Sequence, residues 1–218
     1  MRLLANRTVA NRCVVAVVIA FLDSILIPSA RAGGADTQLR SGFEVAVCPD
    51  GFREEAEQCD DGDADDLDGC TSACRTAVVC NATAFVGGDR FAVDPDTGHC
   101  YVSFDDDQST FDAANVACGT GGGHLVTITS ALEAALVQQV QNPAQSPWIG
   151  ASDIAAEGAF AWVTGESFVF QDFAPGQPDG GVVENCLHIL DASGGWNDTS
   201  CTFAGFVTGQ LCEYEPAP

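Results

Sequence analysis

The stretch QPDGGVVENC, residues 177–186, decides how the fold of this chain is interpreted. Three of its side chains, those of Gln177, Asp179 and Glu184, end in oxygen atoms, and the segment WND follows at 196–198. Hard divalent cations take about six to eight oxygen ligands, which carboxylates and amides supply. Two oxygen-rich segments so close together raise the question of a bound metal ion.

The N-terminal region has the composition of an export signal. Three arginines precede the apolar run CVVAVVIAFL (13–22), which is too short to span a bilayer comfortably, and Ala30-Arg31-Ala32 has the form of a cleavage site. We predict a signal peptide over residues 1–32, cleaved near Ala32, and a secreted or cell-surface product. A membrane anchor is the alternative, but Asp23 interrupts the apolar run.

The charge of the chain narrows its partners. It contains 8 arginines, no lysine and 31 acidic residues, which give a formal net charge of −23 at pH 7. Nucleic acids and anionic membrane surfaces are poor partners for such a chain, whereas divalent cations are good ones. No second apolar run is long enough to cross a bilayer. We therefore expect neither nucleic-acid binding nor membrane insertion.

The cysteines indicate an exported protein. The chain has 11 of them, and all except Cys13 lie beyond the predicted signal peptide. An even number in an exported chain predicts a disulfide framework. Zinc binding is the alternative, but the 3 histidines are scattered and no CxxC pairs recur.

Residues 48–79 form a segment dense in Asp, Gly and Cys, which follows a mostly polar lead-in at 33–47. It is too small to fold on a hydrophobic core alone. Its four cysteines can supply two disulfides, and the sequence leaves all three connectivities open. Aspartates crowd the stretch 60–68, which fits either a calcium site or a solvated acidic loop.

This segment resembles the short cysteine-rich repeats of exported proteins from myxobacteria and their relatives. The match is carried by Cys48, Asp50-Gly51, Cys59-Asp60-Asp61-Gly62, Asp68-Gly69-Cys70 and Cys74. The resemblance implies a small extracellular module, and no activity is implied by it.

Hydrophobic patterning returns after residue 80. Aromatic and β-branched residues predict strands at 98–104, 147–152 and 159–165. A helix is predicted over 109–118, and a second helix starts at Ser130 with Glu133 completing a capping box. The expected buried stripe of the second helix is Leu132, Leu136, Val137 and Val140. The long irregular loop at 166–185 has the length of a functional or disordered segment.

Residues 80–216 resemble a C-type lectin-like domain. The matching marks, in order, are Cys118, Trp148-Ile149-Gly150, Gln177-Pro178-Asp179, Glu184 two residues before Cys186, Trp196-Asn197-Asp198, Cys201 and Cys212. The resemblance implies an α+β fold with two helices, small antiparallel sheets and a long calcium-binding loop. It also implies three disulfides, which are Cys118–Cys212, Cys186–Cys201 and, as the additional N-terminal pair, Cys80–Cys100.

The same resemblance implies which residues bind calcium. A cis proline turns its two neighbours toward one ion, and the implied shell is Gln177, Asp179, Glu184, Asn197 and Asp198. Three carboxylates would offset the charge of the ion, and two amides would complete the shell. A second calcium would be bound by Asp153, Glu157 and Asn185 with a shared Glu184, although Gly180 stands where many members have an acid.

The order of amide and carboxylate in the loop points to the sugar. Gln177-Pro178-Asp179 resembles the galactose-type loop, whereas mannose-type members have Glu-Pro-Asn. We therefore expect glycans with terminal galactose or N-acetylgalactosamine as partners, including cell-surface glycoconjugates. The chain departs from the galactose binders at residues 180–183, where GGVV lacks the aromatic residue that stacks on the sugar.

The alternatives to sugar binding are an enzyme and a protein-binding or adhesion module. An enzyme is not expected, because no GxSxG or HExxH motif occurs, and His188 alternates with apolar neighbours in a pattern that predicts exposure to solvent. The alternative is a protein-binding or adhesion module of the same fold with structural calcium. The complete ligand set favours calcium-dependent sugar binding.

Overall fold

A computed structural model describes residues 48–54, 56–105, 109–190, 193–202 and 205–217. The predicted signal peptide and lead-in fall on residues 1–47, outside the described residues. Within the described ranges, no helix is long and apolar enough to cross a membrane.

The described residues form one mixed sheet and two helices. The strands are β1 (Arg90–Val93), β2 (Cys100–Asp105), β3 (His124–Leu125), β4 (Trp148–Ser152), β5 (Ala161–Trp162), β6 (Cys186–Ile189), β7 (Trp196–Thr199) and β8 (Gly209–Tyr214); the helices are α1 (Phe111–Thr120) and α2 (Ala131–Val140). The strand order is β1-β2-β8-β4-β6-β7, with β3 on β8 and β5 on β4. Only the β4–β8 pairing is parallel among these strands.

Both helices begin at the hydroxyl caps that the sequence indicates. The Thr110 hydroxyl accepts from Ala113 N in α1, and the Ser130 hydroxyl accepts from Glu133 N in α2. The capping box differs in one respect, because the Glu133 carboxylate accepts from Thr129 N at 2.6 Å, one residue before the cap. The Tyr101 hydroxyl also donates to Glu133, which fastens α2 to β2.

The prediction that Leu132 belongs to the buried stripe of α2 is wrong. Leu132 is 78% exposed, whereas Ala134, Val137 and Val140 are buried. A spacing of three residues keeps the buried side chains on one helix face, and Leu132 lies well off that face.

The core consists of two hydrophobic clusters. One includes Val137 of α2 together with Ile149, Leu187 and Trp196; the other includes Phe111 and Trp148. The Trp148 indole N–H donates to the carbonyl of Ser109 at 2.9 Å, which ties β4 to the start of α1. Gly150 allows β4 to approach β3, since a Cβ atom there would lie 2.5 Å from the carbonyl oxygen of Leu125.

Disulfides fasten the sheet to its surroundings. Cys118–Cys212 joins α1 to β8, Cys186–Cys201 joins β6 to the segment after β7, and Cys80–Cys100 joins β2 to the preceding loop. These are the pairs that the resemblance implies. In the cysteine-rich segment the connectivity is nested, Cys48–Cys74 around Cys59–Cys70.

The cysteine-rich segment is attached to the sheet domain through main-chain contacts. Cys80 N donates to Leu67 O at 2.8 Å, and Val78 N donates to Gly98 O at 3.1 Å. The Thr71 hydroxyl donates to Pro95 O at 2.9 Å. Hydrogen bonds therefore cross the predicted boundary between residues 79 and 80.

The two disulfides of different span predict different stability losses. Cys118 and Cys212 are 94 residues apart, whereas Cys80 and Cys100 are 20 apart. Loop-closure entropy then predicts a loss of about 5 kcal/mol for Cys118→Ala/Cys212→Ala and about 3 kcal/mol for Cys80→Ala/Cys100→Ala. Denaturant unfolding of both variants measures the difference. An equal loss, or a larger loss for the shorter loop, would contradict the expectation.

Candidate metal and ligand site

Three carboxylates converge at one end of the sheet. Asp179 follows the cis Gln177–Pro178 bond, Glu184 ends a short 3-10 turn, and Asp198 lies on β7. One oxygen from each of the three lies within 4.8 Å of the others. Oxygens bound to one calcium at about 2.3–2.6 Å are within about 5 Å of each other, so this spacing suits a single ion.

Asp198 attaches the loop to the sheet. Its side chain is buried, and its two oxygens accept from Asp179 N at 3.1 Å and Gly180 N at 3.0 Å. Hydrogen bonds from backbone N–H groups stabilise the ionised form of a carboxylate. This single side chain therefore both positions the loop and contributes to the acidic group.

Gly180 is required by the close approach of Glu184. A Cβ atom at position 180 would lie 2.1 Å from the Glu184 Cβ and 2.3 Å from its Oε2. Any other residue would displace Glu184 from the acidic group. The close approach of Glu184 thus gives a physical reason for glycine at this position.

The site has the electrostatics of a cation site. Partial burial, followed by the charges of Asp198 and Asp179, raises the pKa of Glu184. The ion pairs of the described residues involve Arg90, His99 and His124, and none includes these three acids. Gln177 Oε1 is buried without a hydrogen-bond partner, which is costly unless a cation or donor meets it. The residues present therefore fit a calcium ion.

The side chain of Asn197 is oriented by His188, a residue whose pattern in the sequence predicts exposure to solvent. Its Nδ2 lies 2.9 Å from His188 Nε2 and 2.7 Å from Asp198 O. His188 Nδ1 lies 3.2 Å from Ile189 O, so a proton on Nδ1 leaves Nε2 to accept from Asn197.

The expectation that His188 faces solvent is wrong. His188 is fully buried, as are all four residues of β6, and its ring packs against those of Trp148 and Phe206 at centroid distances of 6.3 and 5.3 Å. Alternation in the sequence cannot reveal that both faces of a strand are covered.

The residues of the expected second site are less closely gathered. Asp153 is buried, its Oδ2 accepts from Gly158 N at 2.8 Å, and its Oδ1 has no hydrogen-bond partner. Asp153 N donates to Asn185 O at 3.0 Å, whereas Glu157 is exposed. No group of three acids within 4.8 Å among the described residues includes Asp153 or Glu157. The second calcium stays a prediction.

Aromatic packing supports the long loop from behind. Trp196 contacts Trp162, Phe168, Phe170 and Phe173 at ring-centroid distances of 5.6–6.0 Å. A groove of about 370 Å³, lined in part by Phe160, Phe168, Phe173, Gln177 and Pro178, opens beside the site. Val182 and Val183 are exposed on the other side of the loop.

Comparison with known proteins gives a consistent family. The model of the lectin C-type domain matches residues 107–213. An alpha-N-acetylgalactosamine-specific lectin of Patiria pectinifera is 36% identical over 119 residues, which cover 49% of this chain and 70% of that lectin. Versican core protein of Rattus norvegicus is 35% identical over 109 residues, covering 49% of this chain but only 4% of that protein.

A solved structure has the same fold. It is the cow C-type carbohydrate-recognition domain of CD23, determined in the presence of a GlcNAc2Man3 oligosaccharide. It superposes with a TM-score of 0.50 at 30% identity and covers 55% of this chain and 90% of that one. The residues 107–213 that match the lectin C-type domain include the segment that carries the three carboxylates.

Titration of Glu184 tests the acidic group without any metal. In calcium-free protein Glu184 should titrate above its ordinary pKa of 4.5, and Asp179→Asn should lower that pKa by removing one repelling charge. The pKa should stay above 4.5 in the variant, because burial is its first cause. Since a proton and a cation compete for the ionised carboxylate, a bound cation should be released as pH falls through this raised pKa.

Carbon NMR of the glutamate carboxyls measures the titration, and Asp112→Asn, the same change at an exposed position of α1 whose charge is not among those that act on Glu184, is the matched control. A Glu184 pKa at or below the ordinary value, or one that Asp179→Asn leaves unchanged, would contradict the geometry.

Proposed function

This chain belongs to the C-type lectin family, and we propose that it is a secreted, calcium-dependent carbohydrate-binding protein that prefers galactose or N-acetylgalactosamine. The family binds carbohydrate and is not enzymatic. The observation that carries the proposal is the convergence of Asp179, Glu184 and Asp198 within 4.8 Å, beside the unpartnered oxygen of Gln177.

Five residues would bind the ion. Asp179, Glu184 and Asp198 contribute the negative charge, and the amide oxygens of Gln177 and Asn197 complete the protein ligands. When bound, calcium supplies open positions that two neighbouring sugar hydroxyls can occupy in place of water. The same side chains are then within reach to hydrogen-bond those hydroxyls, so the ligand set and the sugar contacts coincide.

Selectivity would come from the positions on either side of Pro178. Gln177 offers an amide that can donate through its nitrogen, whereas Asp179 can only accept. This order resembles the galactose type, and similarity to an alpha-N-acetylgalactosamine-specific lectin supports the same preference. The matched region covers 70% of that lectin, whereas it covers only 4% of versican core protein.

Apolar contact with the sugar would be modest. The exposed side chains at 182 and 183 are valines, and the aromatic rings behind the loop are engaged with Trp196. A stacked aromatic pair contributes about 0.5–1.5 kcal/mol beyond its buried area. A loop without an aromatic residue loses binding free energy on this scale. We expect weak binding by one domain, with stronger attachment only to surfaces that present many sugars.

The location and domain limits follow the same proposal. Residues 80–216 would form the sugar-binding domain and residues 48–79 an extracellular cysteine-rich module, both exposed after cleavage near Ala32. The partners would be glycoconjugates with terminal galactose-like residues, and the net charge of −23 disfavours nucleic acid.

Galactose resin tests the function. The protein should be retained in calcium and released by a chelator. Gly180→Ala should lower calcium affinity roughly 10–100-fold and abolish retention at low calcium, because the added Cβ displaces Glu184. Gly119→Ala makes the same chemical change where a Cβ meets nothing within 4 Å, and should be retained like the wild type. Retention that survives the chelator would contradict calcium dependence, and calcium binding without retention would favour the protein-binding alternative.

Exchanging the amide and the carboxylate tests selectivity. Gln177→Glu/Asp179→Asn keeps the net charge and should move retention from galactose to mannose resin with calcium affinity little changed. The matched control is Gln171→Glu/Asp172→Asn, the same exchange at the preceding Gln-Asp pair of the chain. Retention on galactose that the exchange leaves unchanged would show that these two positions do not choose the sugar.

A further inference from the structure

A second group of carboxylates lies in the cysteine-rich module, in a different segment from the candidate sugar site. One oxygen each from Asp50, Glu54 and Asp60 lies within 4.8 Å of the others. One oxygen of Glu57 lies within the same distance of Asp60 and of the Cys74 sulfur. Cys74 is in a disulfide with Cys48, so its sulfur is not available as a thiolate ligand.

Two carboxylate oxygens in this group are buried with no N–H or hydroxyl donor, and the hydrogen bond between the Glu54 and Glu57 carboxyls needs a proton that two ionised carboxylates lack. Glu57 is only 8% exposed, and while its Oε2 accepts from Glu54 N at 2.8 Å, its Oε1 has no partner. Glu54 Oε2 is likewise buried and unpartnered. A buried carboxylate oxygen without a donor is strongly unfavourable, so the fold is incomplete here unless a proton or a cation is bound.

The charges around the group favour a cation. The ion pairs among the described residues include none of its four acids. Arg53 directs its Nε to the main-chain carbonyl of Glu57 at 3.2 Å. Hydrogen bonding to Glu57 is the first cause that raises the pKa of Glu54, and the charges of Glu57, Asp50 and Asp60 raise it further.

Main-chain hydrogen bonds hold the carboxylate of Asp60 in place within the group. Its Oδ1 accepts from Gly51 N and Gly62 N, both at 2.9 Å, and its Oδ2 accepts from Asp50 N at 3.1 Å. Asp60 follows Cys59, which is bonded to Cys70. A cation bound to Asp60 would therefore link the start of the module to its disulfide-bonded centre.

We propose that Asp50, Glu54, Glu57 and Asp60 bind one calcium ion, which completes the cysteine-rich module. The donors are all oxygens, which suits calcium rather than zinc, and oxygens of one calcium shell are spaced within about 5 Å. Extracellular modules typically bind calcium with Kd of about 10⁻⁴–10⁻³ M, and we expect an affinity in that range.

A neighbouring acidic group provides the contrast. Asp61, Asp63 and Asp68 also approach within 4.8 Å of one another, but all three are exposed and none has a buried unpartnered oxygen. Water can solvate these carboxylates without an ion. The site at Glu57 is distinguished by burial, and the two groups can be separated by substitution.

Calcium stoichiometry of the whole chain tests the proposal. Equilibrium dialysis should show that Glu57→Gln binds one calcium fewer than the wild type at millimolar calcium, because the neutral amide replaces the buried charged oxygen. Asp63→Asn, which removes one charge from the exposed group, should bind the wild-type number. An unchanged stoichiometry in Glu57→Gln, or an equal loss in Asp63→Asn, would overturn the site.

Further variants separate this site from the sugar site and from misfolding. Glu57→Gln should keep retention on galactose resin, whereas Asp198→Asn should lose retention and keep the module calcium, so failure of either proposal is visible by itself. Glu54→Gln should reproduce the loss seen in Glu57→Gln, and thiol titration should find the module disulfides intact in both. Equal occupancy by magnesium at equal concentration would overturn the assignment to calcium.

Discussion

The carboxylate of Asp198 is the contact on which the candidate site depends. By accepting from Asp179 N and Gly180 N it fixes a loop of irregular backbone against β7, and in doing so it brings like charges together. The rest of the structure offsets that repulsion. Trp196, next to Asn197 on the same strand, packs into the aromatic cluster with Phe173, and the Cys186–Cys201 disulfide closes the segment that contains Asn197 and Asp198. The loop is thus held by packing and covalent bonds. The repulsion between its acids remains, and a bound cation would relieve it.

The same principle appears twice in one chain. At the candidate metal site and in the cysteine-rich module, acidic side chains are crowded by turns and disulfides, and a buried oxygen is left without a partner: Gln177 Oε1 in one and Glu57 Oε1 in the other. Small exported modules with little core gain stability from disulfides and metal ions together. A highly acidic chain in a calcium-containing exterior would use the ion as part of its structure as well as for recognition.

Much of this could be predicted from the sequence, because the relevant constraints are local or covalent. The hydroxyl cap of α2 determines a contact within a few residues, whereas the three disulfide pairs of residues 80–216 and the ligands on either side of Pro178 were implied by the resemblance to a C-type lectin-like domain. What the sequence did not reveal depends on tertiary contacts. The burial of His188 depends on packing against Trp148 and Phe206, the exposure of Leu132 depends on which helix face meets the sheet, and the need for glycine at 180 depends on Glu184 folding back over it. The group around Glu57 also depends on tertiary contacts, because it brings together Asp50 and Asp60, which are 10 residues apart in the chain.

A crystal structure of the protein grown with calcium and galactose tests the central claim most directly. We expect an ion about 2.3–2.6 Å from oxygens of Gln177, Asp179, Glu184, Asn197 and Asp198, with two adjacent galactose hydroxyls completing its shell. Calcium absent from this loop at millimolar concentration, or galactose bound away from the ion, would contradict the account.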